Sequence, residues 1–363
     1  MPEKYSQWRA SLALARASLT ATLRSPTSVV FALAFPIIFV TVFGTMVDSS
    51  AVRINLALTP NSDTSGQVYA AVKAIPLIQL SAARDSLAAI DELKKGRVDG
   101  MLYLGAVRSG LPHYEMRLIS SGATAERLPL IMAVLRSAVG RMDQPSHTQA
   151  VRLQTVDIPG RVYRRIDFIL PGQLGFSLLM AGVFGSAFLL FNLRHLLVLR
   201  RMHATPIRSS YILLGEMVSQ LLFQVICFGV ITTLGVVAFR FTLVDGLWTF
   251  LEMLALTVPA LIIFTGTGFA ISGRIRNESS IAPIANLITV PQILLCGLFF
   301  PVDSYPSWLQ HFCQLLPLTI FVDGLRRIAF EGDHIWQLPM TLAGLFAWAL
   351  VVGALAARSL RWE

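Results

Sequence analysis

Asp167-Phe168-Ile169-Leu170-Pro171-Gly172 heads a run that is free of charge from Phe168 to Leu193. There it meets Arg194-His195-Leu196-Leu197-Val198-Leu199-Arg200-Arg201-Met202-His203-Ala204-Thr205-Pro206-Ile207-Arg208, and a second apolar run continues to Leu234. Each apolar run exceeds the roughly 20 residues that cross a bilayer as a helix. Arg194, Arg200, Arg201 and Arg208 sit between them with no acid among them, which by the positive-inside rule places this loop in the cytosol. The stretch reads as a transmembrane helical hairpin with a cationic cytoplasmic tip.

Composition agrees. Of 363 residues, 54% are hydrophobic and 14% charged, against about a quarter charged in soluble domains. Charge in hydrocarbon costs several kcal/mol, so a polytopic membrane protein must be short of it. The net charge of +9 suits arginines that flank spans and meet anionic lipid headgroups. No basic stripe interleaved with aromatics points to nucleic acid. Cys227, Cys296 and Cys313 form neither a disulfide framework nor a Cys-x-x-Cys metal pattern.

Counting outward from the hairpin gives the organisation. Residues 1–26, with Trp8, Leu12, Leu19 and Leu23 among Arg9, Arg16 and Arg24, read as an amphipathic helix on the cytoplasmic interface. Residues 27–48 hold the first span. Residues 49–166 regain charge and show strand and helix periodicities: strands at 52–58, 101–104 and 116–119, and helices at 65–74, 86–95 and 124–141. They read as an inserted α/β domain outside the cytosol. Residues 167–363 carry five more spans: the first run of the hairpin, then 211–239, 248–271, 281–300 and 338–356. Small residues from Thr265 to Gly268 suit close helix packing in lipid. Segment 301–332, with Pro301, Pro306 and Pro317, is only half apolar and reads as an outer re-entrant element, which lipid tolerates only under a cover of protein. The fold class expected is an all-α polytopic membrane domain of six transmembrane helices, both termini cytoplasmic, with the α/β domain inserted after the first.

Two segments resemble the membrane subunits of ABC-2-type ABC transporters. Leu199-x5-Thr205-Pro206 is similar to the tail of that family's cytoplasmic coupling segment, although Asn192-Leu193-Arg194-His195 stands where the family often has a Glu-Arg-x-x-Gly-like opening. More specifically, Pro301…Pro306-Ser307-Trp308-Leu309-Gln310…Pro317-Leu318-Thr319…Asp323-Gly324-Leu325-Arg326 looks like the family's outer Pro-x-Trp-Leu-Gln…Pro-Leu-Thr…Arg pattern. The resemblance implies an exporter of the type V architecture. Such permeases pair as homodimers or with a paralogous permease and dock two P-loop ATPase subunits, which bind ATP and Mg, on their cytoplasmic loops. They move drugs, lipids or glycans outward, and a periplasmic adaptor on the outer domain would fit the same plan. An arginine-rich, lysine-poor chain suits a bacterial inner membrane.

The chemistry in the chain itself is sparse. A P-loop needs Gly-x-x-x-x-Gly-Lys-Ser/Thr; the only lysines are Lys4, Lys73, Lys94 and Lys95, and none follows glycine. ATP hydrolysis, and with it any nucleotide cofactor, is expected in a partner. No carboxylate–histidine grouping or nucleophile elbow marks a catalytic or metal site. In the basic loop, Leu196, Leu197 and Leu199 could enter a groove of the ATPase with the arginines at its rim, or the arginines could serve only to anchor topology. Glu216 and Glu252 lie near span ends; they are candidates for coupling or transport, unless they simply reach water. Asp303, Asp323 and Arg326 are expected to pair and brace the outer segment. Two other classes compete: a secondary carrier or channel, which would need charges at mid-bilayer, and a membrane-anchored sensor or scaffold, which would need only one span.

Overall fold

The computed structural model describes residues 6–24, 26–45, 54–82, 85–94, 97–106, 114–124, 127–143, 151–158, 164–195, 209–275, 277–299, 302 and 305–359. Their contacts divide the chain into two units, 47–164 and the remainder (1–46 with 165–363).

Unit 47–164 is a five-stranded mixed sheet. Its strands are β1 (Ile54–Leu58), β2 (Ile78–Ala82), β3 (Gly100–Ala106), β4 (Tyr114–Ser121) and β5 (Val151–Ile158), in the order β2-β1-β3-β4-β5. Only β3–β4 is antiparallel; β1 pairs parallel with β2 and β3, and β4 with β5. The period-2 alternation of side chains sorts the core onto both faces. Leu56, Leu58, Leu102 and Leu104 pack with helices α3 (Gln67–Lys73) and α5 (Leu128–Asp143), while Ala57 and Met101, one residue out of step, pack with Ala89 and Leu93 of α4 (Ser86–Lys94). Buried Asp99 accepts the Asn55 amide at 2.8 Å and pairs with Arg127 Nη1 at 2.7 Å, so its charge is compensated. Strands β2 and β5 are the two edges of the sheet, and the sequence pattern does not announce them. Ile78-Gln79-Leu80 is too short to show a period, and the alternation of Val151 and Leu153 fails at Val156, which is exposed.

The other unit is helical. α1 (Gln7–Arg24) and α2 (Pro26–Thr45) precede the sheet domain in sequence. After it comes α6 (Arg165–Met180), which passes through a π-helical turn at Ala181–Gly185 into α7 (Ser186–His195). Then follow α8 (Ser209–Phe239), α9 (Leu247–Ser272), α10 (Ile281–Leu295), α11 (Ser307–Leu315), α12 (Pro317–Arg326), a π turn at Arg327–Glu331 and α13 (Pro339–Ser359). Among the described residues, four helices are long and apolar enough to cross a membrane: Ile166–Leu193, Leu214–Phe239, Leu247–Ser272 and Pro339–Ser359. The segment expected as the fifth span, 281–300, differs. α10 has 15 residues, about 22 Å of helix, short of the hydrocarbon thickness. The chain leaves it through Gly297 at φ 80°, a left-handed turn that glycine makes without strain.

Helix α9 is central. Leu256, Ala260 and Phe264 are buried with Leu170, Leu174 and Leu178 of α6 and with Phe321, Val322 and Leu325 of α12. Its closest approach is at the small residues singled out in the sequence. A Cβ on Gly268 would collide with Ser186 Oγ and the Val183 carbonyl oxygen, and one on Gly182 would lie 2.7 Å from Phe264 Cβ. Ser186 Oγ shares its proton between the Gly182 carbonyl oxygen of the preceding turn at 2.5 Å and, across the seam, the Thr265 carbonyl oxygen at 3.0 Å. Glycine and serine let the backbones touch, and dispersion together with this hydrogen bond holds them where lipid supplies no hydrophobic drive.

Candidate functional site

The expected ATPase-docking residues Leu196, Leu197, Leu199, Arg200, Arg201, Thr205, Pro206 and Arg208 lie outside the described residues. Arg194 is in the last turn of α7 by its backbone. What the structure describes is the seam where α8 emerges from this loop. α1 lies along α8, with Ser11 Oγ donating to the Tyr211 carbonyl oxygen at 2.8 Å and Trp8 meeting the Tyr211 ring edge-on at 5.6 Å. Gly215 makes this approach possible, since a Cβ there would sit 2.7 Å from the Ser11 carbonyl oxygen. One turn on, Ser18 Oγ donates to Glu216 Oε1 at 2.9 Å. Glu216 is 6% exposed, so it is a buried acid with a hydroxyl partner rather than a group that reaches water. Leu12 is exposed, and so is most of Trp8 apart from its edge-on contact with Tyr211.

Glu252 is also buried, in the first turns of α9, and its partner is His334: Nδ1 lies 3.1 Å from Oε1. The His334 ring stacks on Trp336 at 4.3 Å, and its amide donates to Gln337 Oε1 at 2.9 Å. Nearby in sequence, Arg327 Nη2 donates to Asp333 Oδ2 at 2.8 Å, and Arg327 Nε lies 3.9 Å from Glu331 Oε2. Asp167, in the first turn of α6, accepts the Thr242 amide at 2.8 Å and its hydroxyl at 3.3 Å. It thereby ties the loop between α8 and α9 to the start of the hairpin.

In the outer motif, Pro306 precedes the first turn of α11, and Trp308 is exposed on that helix. Pro317 opens α12 at a position where its missing N–H costs nothing, and Thr319 is buried one turn in. Pro301 and Asp303 lie outside the described residues. The expected Asp323–Arg326 pair is not formed. Asp323 is exposed and, among the described residues, forms no ion pair. Arg326 turns instead to carbonyl oxygens: Nη2 donates to Gly297 at 2.7 Å and to Phe168 at 3.2 Å, Nε donates to Phe168 at 3.3 Å, and the guanidinium lies 3.8 Å from the Phe168 ring centroid. A planar cation with several donors suits two carbonyls and a ring face better than one exposed carboxylate. Arg326 thus joins the end of α12, the start of α6 and the turn after α10.

A feature that sequence reasoning missed is a cavity of about 400 Å³. It is walled by Ile263, Thr267 and Arg274 on the α9 side, Ile288 and Gln292 of α10, and Trp348 of α13. The only sequence signal was Gln292 beside Pro291 in an otherwise apolar run. Among the described residues, no group of three His, Cys, Asp or Glu side chains could hold a metal ion.

Long apolar helices packed through glycine and serine, with their buried acids paired near helix ends, define a polytopic membrane protein. The model of the ABC-2 family transporter protein matches residues 26–358, and the chain belongs to that family, as a membrane permease. It is similar to the probable multidrug ABC transporter permease YbhS of Escherichia coli (strain K12), 20% identical over 363 residues that cover 95% of this chain and 94% of that one. It is equally similar to the linearmycin resistance permease protein LnrN of Bacillus subtilis (strain 168), 20% identical with 96% and 99% covered. A shorter stretch of 46 residues is 41% identical to nodulation protein J of Bradyrhizobium diazoefficiens, covering 13% of this chain and 18% of that one.

Proposed function

We propose that this chain is the membrane-spanning half of an ATP-driven exporter in a bacterial inner membrane. It works as a homodimer or beside a paralogous permease, with two separate P-loop ATPase subunits that carry the ATP and Mg. The observation that carries this reading is the family match from 26 to 358 in a chain whose four lysines never follow a glycine. A family driven by ATP then needs its phosphate-binding loop on another polypeptide.

In this reading six crossings place both termini in the cytosol; α2 completes the set together with the short α10, which the turns before and after it extend. The loop 194–208 docks the ATPase, with Leu196, Leu197 and Leu199 inserted and Arg200, Arg201 and Arg208 at the rim. Its motion reaches the bundle through α8, whose first turns are clamped to α1 by Ser11 and Ser18. The exposed apolar side chains of α2 (Phe35, Ile38) and α10 (Leu287, Leu294) suit lipid or a second copy. The α/β unit lies outside and gates exit or meets a periplasmic adaptor. Relatives named for multidrug and linearmycin resistance favour hydrophobic or amphipathic cargo moving outward.

The test is affinity purification from mild detergent, for the native chain and for a variant with Arg200, Arg201 and Thr205 changed to alanine. A P-loop ATPase held by the native chain and lost from the variant is the expected result. A chain that purifies alone and moves substrate in liposomes without ATP would instead be a secondary carrier.

A further inference from the structure

The cavity between α9, α10 and α13 carries an inference about cargo that rests on the exporter reading. We propose that it is a binding site, formed within one chain, for an anionic amphiphile on its way out: an elongated apolar body with one acidic head.

The argument starts from shape. About 400 Å³ lies in the range of small-molecule sites, roughly 300–1,000 Å³. Along α9 the lining runs from Ile263 to Ile271, about 12 Å of helix, and continues past its end to Arg274, so the space is long. Between those ends the wall is apolar, with Ile271, Ile288, Val352 and Leu355 among its residues. Lipid and apolar ligands alike would accept such a wall, so the few polar atoms decide what it selects.

Most of those atoms are already committed. Thr267 Oγ1 donates to the Ile263 carbonyl oxygen at 2.8 Å, and Trp348 Nε1 to the Leu315 carbonyl oxygen at 2.8 Å. Two are not. Gln292 is 9% exposed; its Nε2 reaches the Ile288 carbonyl oxygen at 3.3 Å, while its buried Oε1 has no hydrogen-bond partner among the described residues. A buried amide oxygen without a donor costs free energy that a ligand hydroxyl or amide would recover. The second is Arg274, just past the last turn of α9, which lines the cavity's end and forms no ion pair among the described residues. A guanidinium at the mouth of an apolar slot complements a carboxylate or phosphate, and by the charge flanks of the chain this mouth faces the cytosol. The order along the cavity is therefore cation, apolar wall, buried acceptor. An amphiphile would enter tail first from the inner leaflet and leave its acid on Arg274.

The purified chain in phosphatidylcholine nanodiscs, without ATP or ATPase, would be titrated with dansyl-undecanoic acid and with its uncharged methyl ester. The dansyl emission reports binding, and energy transfer from tryptophan locates it. The acid is expected to bind about tenfold more tightly than the ester. Arg274→Gln would remove that preference and leave ester binding unchanged, whereas Arg274→Lys would keep it. Ile288→Trp, on the exposed side of the cavity, would weaken both ligands. Trp348→Phe would reduce energy transfer, because this indole walls the site. Equal affinity for acid and ester, or an unchanged acid preference in Arg274→Gln, would overturn the site. Competition by phosphatidylglycerol added to the nanodiscs would identify the occupant as bilayer lipid and overturn its assignment as cargo. No ATPase is present in the assay, so its failure leaves the exporter reading untouched. Loss of the ATPase from the purification above would leave this binding result standing.

Discussion

Gly268→Ala is expected to destabilise the bundle, although the same change elsewhere in these helices should not. At Gly268 the added Cβ meets the Val183 carbonyl oxygen, Ser186 Oγ and, at 3.0 Å, the Ala187 amide nitrogen. Ser186 can rotate away only by giving up its hydrogen bond to Thr265, and the other two atoms are backbone. An ordinary contact is restored only if α9 and α7 part by about 1 Å. Overpacking of this kind costs about 1–3 kcal/mol. The gain in helix propensity from glycine to alanine is at most about 1 kcal/mol in water. It is smaller for helices that stay formed in detergent, so the net effect is a loss of about 1–2 kcal/mol. Among the described residues, Gly229 in α8 and Gly353 in α13 have nothing within 4 Å of the same added atom; there alanine should be neutral or stabilise by a few tenths of a kcal/mol. The assay is SDS-induced unfolding of the purified chain in mild detergent, followed by tryptophan fluorescence, for the three single variants and for Ser186→Ala with Gly268→Ala. The double variant should recover part of the loss, because the hydroxyl clash goes while the Val183 clash stays. A Gly268→Ala protein as stable as the native chain, or one no worse than Gly229→Ala, would refute the close approach of α9 and α7.

Arg326→Ala should lower stability in the same assay by about 3 kcal/mol, from two charge-supported carbonyl contacts and a ring contact; Arg326→Lys should recover less than half, because one ammonium cannot reach both Gly297 and Phe168 in the geometry of the guanidinium. In the α/β unit, the Ser65 hydroxyl and amide, at 2.7 and 2.9 Å from Asp63 Oδ1, hold the Asp63 carboxyl below its ordinary value. A depressed folded value means that the turn is stabilised above the ordinary carboxylate range and loses this contribution as pH falls through the lowered value. Protection of the amides at 63–66, taken relative to the intrinsic exchange rate at each pH, should therefore fall in acid in the native chain, and Asp63→Asn should abolish that fall.

What was legible in the sequence divides along physical lines. Elements whose burial is set by local periodicity could be read. The hairpin 167–234 follows from uninterrupted apolarity and arginine flanks, and the small-residue seam from Thr265 to Gly268 follows from the one requirement that lets helices meet in lipid. In the sheet domain, β1 and β3 read as nearly continuous apolar runs because both faces are covered, and β4 buries Met116 and Leu118 on either side of exposed Arg117, whereas edge strands β2 and β5 have one flank open and no such constraint on pattern. The length of α10 was not legible, because an apolar run records solubility in lipid and not where the helix stops; Gly297 ends it in a turn whose carbonyl Arg326 then uses.

The partners of charged residues fall on the other side of that line. Asp323 and Arg326 are near neighbours in sequence and opposite in sign, yet Arg326 joins Phe168 and Gly297, 158 and 29 residues away. Glu216 finds Ser18 across 198 residues, and Glu252 finds His334 across 82. A buried charge takes the partner that tertiary packing delivers, and a single sequence contains no distance between α1 and α8. The identity of a buried acid is thus readable as a demand for compensation, while the group that meets the demand is fixed only by the fold. The same holds for the cavity: Gln292 and Arg274 look like an isolated amide and a topology anchor in the sequence, and become the two uncommitted polar ends of one apolar slot only when α9, α10 and α13 are brought together.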